Sequence, residues 1–284
     1  MEKTVMNDNT TNEKLQTTGA CDSGRDSGAE RATVHFVGAG PGAKDLITLR
    51  GVELLKRADV VVYAGSLVNP ALLEYAPNAV VHNSALMTLE EVLNVMTAAH
   101  AAGKVVVRLH TGDPSVYGAV REQMDALDKL GIRYDSCPGV SACFGAAASL
   151  NVEYTLPGVS QSLIITRMAG RTPVPEGESI ESFAAHGASM AIYLSASALG
   201  ELSQRLIKGG YAPETPAAIV YKATWEDEKV VRCAVVDLEP AAKEHGIYKT
   251  ALILVGGAVA ASAEYERSRL YAPDFSTEFR KATR

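Results

Sequence analysis

Cysteine, tryptophan and basic charge are all scarce in this sequence of 284 residues. The four cysteines, at Cys21, Cys137, Cys143 and Cys233, form no CxxC pair. Their spacing therefore predicts reduced thiols and neither a zinc site nor a disulfide framework. The net charge is −6, and the basic residues are not interleaved with aromatic ones. Both features argue against a protein that binds nucleic acid.

Long apolar runs are also missing. No stretch is apolar for the roughly 20 residues that a membrane-spanning helix needs, and the N-terminus has no charged start followed by an apolar segment. The six histidines are scattered without an HxH or HExxH pattern. We therefore expect a cytoplasmic protein without a signal peptide, a membrane span or a protein-bound metal.

The composition changes along the chain and predicts its domains. Residues 1–30 are rich in Thr, Asn, Asp, Ser and Gly, which bury too little apolar surface to offset the entropy of an ordered chain. They are predicted to form a disordered extension. We expect an N-terminal α/β domain at residues 31–138, a C-terminal α/β domain at 139–262 and a polar tail at 263–284.

Strands and helices alternate in the first half of the chain. Continuous apolar runs, typical of strands buried on both faces, predict strands at 34–37, 60–63 and 105–107. Helical periodicity predicts helices at 48–57, 90–102 and 117–130. This order is typical of an α/β domain with a largely parallel sheet.

The second half is richer in strands, which are predicted at 163–166, 191–194, 217–221 and 251–255. Only two helices are clear, at 180–186 and 199–208. The segment 224–236 has the pattern of a turn followed by an extended return, so we expect part of this sheet to be antiparallel.

Three loops carry the functional signal. The first, Gly38-Ala39-Gly40-Pro41-Gly42-Ala43, follows a strand and nominally fits the GxGxx(G/A) pattern of dinucleotide-binding folds. Two features weaken that interpretation: Pro41 removes a backbone donor that a pyrophosphate would need, and no acidic residue ends the second strand. A purely structural tight turn and a turn that also lines a substrate cleft remain open.

The second loop, residues 111–118, follows the strand at 105–107, at the edge where open α/β sheets bind ligands. Gly112 permits close approach of a ligand to the backbone. Asp113 is predicted to cap the following helix, with Pro114 in its first turn. Capping and ligand binding are compatible roles for this loop.

The third loop contains Ser141 in a sequence that matches the nucleophile elbow GxSxG only superficially, because Cys143 replaces the second glycine. No convincing histidine partner follows. Ser141 is therefore interpreted as a helix cap whose hydroxyl faces a ligand. Without a metal set or an activated nucleophile, the residues favour group transfer by positioning of two substrates, but they do not identify the group.

Taken in order, the loops resemble those of the tetrapyrrole methylases. The resemblance runs from about residue 33 to 260 and is specific as a combination, although each motif alone is weak. It rests on VGAGPG (37–42), DLITLRG (45–51), ADVVVY (58–63), GDPSVYG (112–118) and PGVSA (138–142). Within the family, residues 63–68, 110–114 and 160–175 are most similar to the members that methylate C11 of precorrin-4 or cobalt-precorrin-4 in cobalamin biosynthesis.

The resemblance implies two α/β domains with a cleft between them, usually in a homodimer, and S-adenosylmethionine as the methyl donor. It implies donor contacts at Pro41, Thr111, Gly112, Asp113, Val116, Ser141, Ala142 and Met190, with weaker matches at Ala223, Thr224 and Ala251. Gly38, Ala39 and Gly40 are implied to line the tetrapyrrole trough. Candidates for binding the acceptor's carboxylates are Arg50, Arg108, Arg167 and Arg171.

The main alternative is a methylase of the same fold with another acceptor, such as uroporphyrinogen III, another precorrin, ribosomal RNA or a protein residue. An NAD-dependent reductase and a non-enzymatic ligand carrier are more distant hypotheses. The sequence does not indicate whether the acceptor carries cobalt.

Deleting residues 1–30 is expected to leave methyl transfer and the melting temperature nearly unchanged, because this composition does not support packing. Thermal unfolding and activity of the shortened and full-length proteins measure this. A drop of several degrees would show that the extension docks onto the folded body or onto a second copy.

Overall fold

The computed structural model describes residues 33–260 and 265–283, all of which belong to one compact unit. The predicted extension at 1–30 lies outside the described residues. None of the helices in the described part has the length and apolar character that a membrane span requires.

The first sheet is entirely parallel, with the strand order β3-β2-β4-β1-β5. Its strands are β1 (Val34–Gly38), β2 (Val60–Tyr63), β3 (Val80–Asn83), β4 (Val106–His110) and β5 (Tyr134–Cys137). Three helices accompany it: α1 (Leu49–Arg57), α2 (Leu89–Ala101) and α3 (Arg121–Lys129). Both faces of the sheet are covered, which explains the continuous apolar runs of its central strands.

Alternate residues of each strand enter the two cores of this sheet. Val37 and Val107 pack with Leu55 of α1 on one face. Phe36 and Val106 pack on the other face with residues of α2 and α3, among them Met96. This alternation decides which side chains enter each core. Because β4, β1 and β5 are parallel neighbours, their carboxyl ends lie at one edge of the sheet.

The second sheet is mixed, with the strand order β6-β7-β10-β8-β9. Its strands are β6 (Leu163–Arg167), β7 (Ser189–Tyr193), β8 (Pro216–Tyr221), β9 (Lys229–Ala234) and β10 (Ala251–Val255). The remaining helices are α4 (Ala142–Leu150), α5 (Ile180–Ala184), α6 (Leu199–Gly209) and α7 (Leu238–Glu244). β6 pairs with β7 in parallel, and the other pairs are antiparallel.

The structure confirms the predicted α/β fold and the partly antiparallel second sheet, in which the extended return is β9. The two sheets lie on either side of residues 138–139 in the sequence, although the domain limits themselves stay predictions. Within the predicted tail, the Arg280 guanidinium donates hydrogen bonds to four backbone carbonyls, those of Leu270, Tyr271, Ala272 and Phe275.

The predicted helix at 117–130 is wrong at its start, since α3 begins at Arg121. Tyr117 and Ala119 have φ angles of 56° and 49°, in the left-handed region that a helix does not accommodate. Asp113 consequently caps no helix. Its carboxylate accepts a hydrogen bond from the N–H of Ser115 at 2.9 Å, closing a local turn.

Helix α4 shows why some helices cannot be predicted from hydrophobic periodicity in the sequence. Its sequence, ACFGAAASL, has no charged face, and Cys143, Ala146 and Leu150 pack against the second sheet. A helix without a polar face has little amphipathic pattern to detect. The sequence pattern also did not predict β3, β5 and α7.

Arg108 and His110 are buried polar residues within the first sheet. The Arg108 guanidinium donates to Gln123 Oε1 at 3.2 Å and to the Val62 carbonyl at 3.1 Å. Burial lowers its pKa to about 10. Burial, together with the charge of Arg108, lowers the pKa of His110 to about 3. His110 is therefore neutral in the folded protein at neutral pH.

This depressed pKa predicts acid sensitivity. Below pH 6.5 the unfolded state binds a proton at position 110 that the folded state does not bind, so stability falls as the pH falls toward 3. Between pH 8 and pH 5 the loss from this group is about 2 kcal/mol. His110→Leu is expected to remove that part of the pH dependence, as measured by urea unfolding at several pH values. The same substitution at the exposed His186 is the control, and equal pH dependence in wild type and His110→Leu would contradict the assignment.

Candidate functional site

A cavity of about 380 Å³ is lined by loops from both sheets, which in each sheet come from one edge. β4, β1 and β5 are parallel neighbours, so the loops that follow them meet at one edge of the first sheet. In the second sheet, β10 runs antiparallel to β7 and β8. The ends of β7 and β8 therefore lie beside the start of β10, and these three segments form the other wall.

A backbone junction holds the first two loops together. The N–H of Gly112 donates to the Gly40 carbonyl at 2.8 Å, and the N–H of Gly40 donates to the Gly112 carbonyl at 3.2 Å. Gly38 and Gly139 approach each other so closely that a Cβ on Gly38 would lie 2.6 Å from the backbone of Gly139. A side chain at either position would separate the loops.

Asp113 fastens the second loop to the third. One carboxylate oxygen accepts from the Gly139 N–H at 2.8 Å, and the other accepts from the N–H and hydroxyl of Ser115. Burial alone would raise the pKa of this carboxyl, but the three hydrogen bonds outweigh it and lower the pKa below its usual value. Asp113 is thus ionised, and both of its oxygens accept hydrogen bonds that join the second loop to the third.

Ser141 occupies the N-cap position of α4, but its side chain makes no capping hydrogen bond. Instead, the hydroxyls of Ser141 and Tyr193 lie 2.8 Å apart, and the Cys143 N–H donates to the Tyr193 hydroxyl at 2.9 Å. The predicted N-cap position of Ser141 is confirmed, while the side-chain hydrogen bond at this helix end is accepted by Tyr193 from β7. Burial raises the pKa of Tyr193, so its hydroxyl stays protonated.

Backbone strain concentrates at the cavity. Among the described residues other than glycine, Tyr117, Leu194, Lys222 and Thr250 line it with φ angles of 56°, 53°, 46° and 55°. Left-handed geometry at such residues costs roughly 1–3 kcal/mol each and persists where surrounding contacts enforce it. Strain of this kind is typical of functional sites.

Nine of the predicted donor-contact residues line the cavity: Pro41, Thr111, Gly112, Asp113, Val116, Ser141, Ala142, Ala223 and Ala251. Thr224 is adjacent to the wall, where its hydroxyl accepts from the Ala43 N–H at 3.0 Å. Met190 does not line the cavity, because its fully buried side chain packs in the core that the second sheet forms with α5, α6 and α7. The binding roles themselves stay predictions.

Gly38, Ala39 and Gly40 do not line this cavity either. All three are buried, and the backbone of Gly38 and Gly40 contacts the second and third loops. Their implied contact with the acceptor stays a prediction. What the structure shows is their role in the loop junction.

The four arginine candidates are placed differently from one another. Arg108 is buried within the first sheet and does not reach the cavity. Arg167 donates to the carbonyls of Met168, Thr172 and Pro173 and so fixes the loop after β6. Arg50 and Arg171 are exposed and do not line the cavity. The basic residues that do line it are Lys222 and Lys249.

Several lining residues were missed by the sequence reasoning: Leu67, Tyr193, Leu194, Lys222, Trp225, Tyr248, Lys249 and Thr250. Trp225, the only tryptophan of the chain, was the one available signal. Leu194 and Lys222 gave none, because nothing in the sequence marks a leucine or lysine that adopts a left-handed conformation.

The chemistry of the cavity is that of a binding site. Among the described residues that line it, there is no histidine and no cysteine. Its serine hydroxyls include Ser141, which is engaged with a protonated tyrosine. This composition favours group transfer by positioning of two reactants over catalysis by an activated serine or cysteine.

Comparison with known proteins agrees with this geometry. The family model of the tetrapyrrole (corrin/porphyrin) methylases matches residues 33–239. The chain is 53% identical to cobalt-precorrin-4 C(11)-methyltransferase of Methanocaldococcus jannaschii over 88% of its length and 96% of the relative's. It is 45% identical to precorrin-4 C(11)-methyltransferase of a Sinorhizobium species, over 87% of its length and 98% of the relative's.

Two solved structures extend the comparison. A cobalt-precorrin-4 methyltransferase described as a cobalamin biosynthetic enzyme superposes with a TM-score of 0.80 at 44% identity, covering 84% of this chain and all of that one. Uroporphyrin-III C-methyltransferase of Thermus thermophilus, complexed with S-adenosyl homocysteine, gives a TM-score of 0.68 at 26% identity, covering 83% and 97% of the two chains. The resemblance drawn from the loops is confirmed, and this chain belongs to the tetrapyrrole methylase family.

Proposed function

We propose that this protein transfers a methyl group from S-adenosylmethionine to C11 of precorrin-4 or cobalt-precorrin-4. The observation that carries the proposal is that the three glycine-containing loops together form one wall of a cavity. The chain that forms this wall is 45–53% identical to enzymes named for this reaction. Relatives named for both the cobalt-bearing and the metal-free acceptor match over most of the chain, so both acceptors belong in the test.

The cavity suits the donor in size and composition. Its volume of about 380 Å³ falls within the range of roughly 300–1,000 Å³ that is typical of small-molecule sites. Val116, Ala142, Ala223 and Leu252 supply apolar surface for an adenine ring, while the backbone around Gly112 supplies polar groups at close range. A structure of a family member with S-adenosyl homocysteine supports this donor.

The reaction needs no activated side chain. A nucleophilic ring carbon attacks the sulfonium methyl in line, the carbon–carbon bond forms, and the sulfur keeps the electron pair of the broken bond. The positive charge passes to the macrocycle, which loses a proton to solvent. The protein's contribution is to hold carbon and methyl near attack distance, about 3–3.5 Å. Homodimer formation and cytoplasmic location stay predictions.

Gly112→Val is expected to weaken binding of S-adenosylhomocysteine by more than about tenfold. At a φ of 59°, the Cβ would lie 3.5 Å from Ser141 Cα and the Ala142 nitrogen, and the added methyl groups would crowd the cavity wall. Isothermal calorimetry measures the change against the wild type. Absence of heat with wild type and either donor form would refute the donor assignment.

Gly131→Val is the matched control. Gly131 has a similar φ of 66°, but a Cβ there meets nothing within 4 Å, and the residue does not line the cavity. Both variants should lose stability by about 1–3 kcal/mol from left-handed strain, whereas only Gly112→Val should lose donor binding. Equal binding by the two variants would show that the second loop is outside the donor site.

The methylated position is expected to be C11. Several ring carbons are comparably nucleophilic, but only one lies in line with the sulfonium, and a displacement of about 1 Å can cost roughly a hundredfold in rate. Carbon-13 NMR of product made with a labelled methyl donor locates the group, with precorrin-4 and cobalt-precorrin-4 assayed in parallel. A label at another carbon, or turnover with uroporphyrinogen III alone, would contradict the acceptor while leaving methyl transfer intact.

A further inference from the structure

Trp225 connects the first glycine loop to the wall built by the second sheet. Its indole N–H donates to the Pro41 carbonyl at 3.1 Å, and both residues line the cavity. Pro41 has no backbone N–H, so its carbonyl is the only backbone group through which a hydrogen bond can hold it. The ring of Pro41 also contacts α4, where a Cβ on Gly145 would lie 2.8 Å from it.

The indole fills the space beside the next residue of the loop. A Cβ on Gly42 would lie 2.0 Å from Trp225 Cδ1, so glycine is required for the tryptophan to occupy this position. The Thr224 hydroxyl accepts from the Ala43 N–H at 3.0 Å. Thr224 and Trp225, in the turn after β8, thus contact three consecutive residues of the first loop, 41–43.

The turn that carries Trp225 is itself held in a strained conformation. Lys222 and Thr224 have φ angles of 46° and 68°. The Glu228 carboxylate accepts from the Thr224 N–H and from the Ser149 hydroxyl on α4, and the Lys222 N–H donates to the Thr250 carbonyl at 2.9 Å. The ammonium of Lys222 lies 5.2 Å from the centre of the indole. Strain of this kind persists only when several contacts enforce it, which gives the indole a fixed position.

We propose that Trp225 is a positioning residue of the methyl-donor site: its indole holds Pro41 at the cavity wall and thereby sets the affinity for the donor. This inference rests on the proposed function. It concerns a residue that carries no reacting group and acts through the loop that it holds. The effect should therefore appear in the binding of the donor and not in the rate of the saturated enzyme.

The test compares wild type with Trp225→Phe, which keeps an aromatic ring and loses the hydrogen bond to Pro41. The Kd for S-adenosylhomocysteine and the KM for S-adenosylmethionine should rise by about 3- to 10-fold, the range expected for one hydrogen bond. The kcat at saturating donor should stay within about twofold of wild type, the pattern of lost uniform binding. Glu226→Gln, at the exposed neighbouring position, is the control and should change neither constant.

Tryptophan fluorescence of the unmodified protein provides a second measurement, because the chain contains one tryptophan. Addition of S-adenosylhomocysteine should change its emission with a midpoint at the calorimetric Kd. This reading holds even if Trp225→Phe fails to fold. Thr224→Val, which removes the bond to Ala43, should raise the donor KM in the same direction.

The outcomes separate the two proposals. If wild type binds neither form of the donor, the proposed function fails. If wild type binds but its emission does not change, or Trp225→Phe binds as tightly as wild type, the positioning role is refuted and the function stands. A Trp225→Phe variant with a lower melting temperature and lower kcat but an unchanged donor Kd would show a structural role only, which also overturns the inference.

Discussion

Two backbone hydrogen bonds join Gly40 to Gly112, and through them the loop after β1 is held against the loop after β4. The pairing of β1 with β5 brings Gly38 against Gly139 beside this junction. Asp113, next to Gly112, then reaches the Gly139 N–H, so the loops after β1, β4 and β5 are all joined. Backbone groups make most of these contacts, so small residues and left-handed turns are required where side chains would otherwise intervene.

The two sheets contribute different chemical groups to the cavity lining. The first sheet supplies backbone from its glycine loops. The second supplies much of the aromatic surface, including Tyr193, Trp225 and Tyr248. Tyr193 and Trp225 also form hydrogen bonds with the loops: Tyr193 accepts one from the N-terminus of α4, and Trp225 donates one to the Pro41 carbonyl. Through these two hydrogen bonds, the position of one wall depends on the position of the other.

The electrostatics of the site fit the proposed reaction, in which the positive charge that makes the methyl group reactive is on the sulfonium of the donor. Asp113 is ionised and accepts three hydrogen bonds, and Tyr193 remains protonated because it is buried. The buried Arg108 donates hydrogen bonds within the sheet that supports the second loop, and the buried His110 packs there against Phe36. A sulfonium donor already carries a good leaving group, so the protein mainly needs to fix distance and direction.

The sequence alone determined the α/β class, the parallel first sheet and most of the cavity-lining residues in the loops after β1, β4 and β5, because periodicity and the Gly112-Asp113 and Ser141-Ala142 motifs are local. It gave Asp113 a helix-capping role that it does not have, and it did not indicate that the Met190 side chain faces the core or that Tyr193 accepts the hydrogen bond at the N-terminus of α4. Tertiary structure decided those assignments, as well as the places of Leu194, Lys222 and Trp225. These depend on left-handed backbone conformations and on contacts between residues far apart in the chain, such as Trp225 with Pro41, and neither leaves a pattern in neighbouring residues.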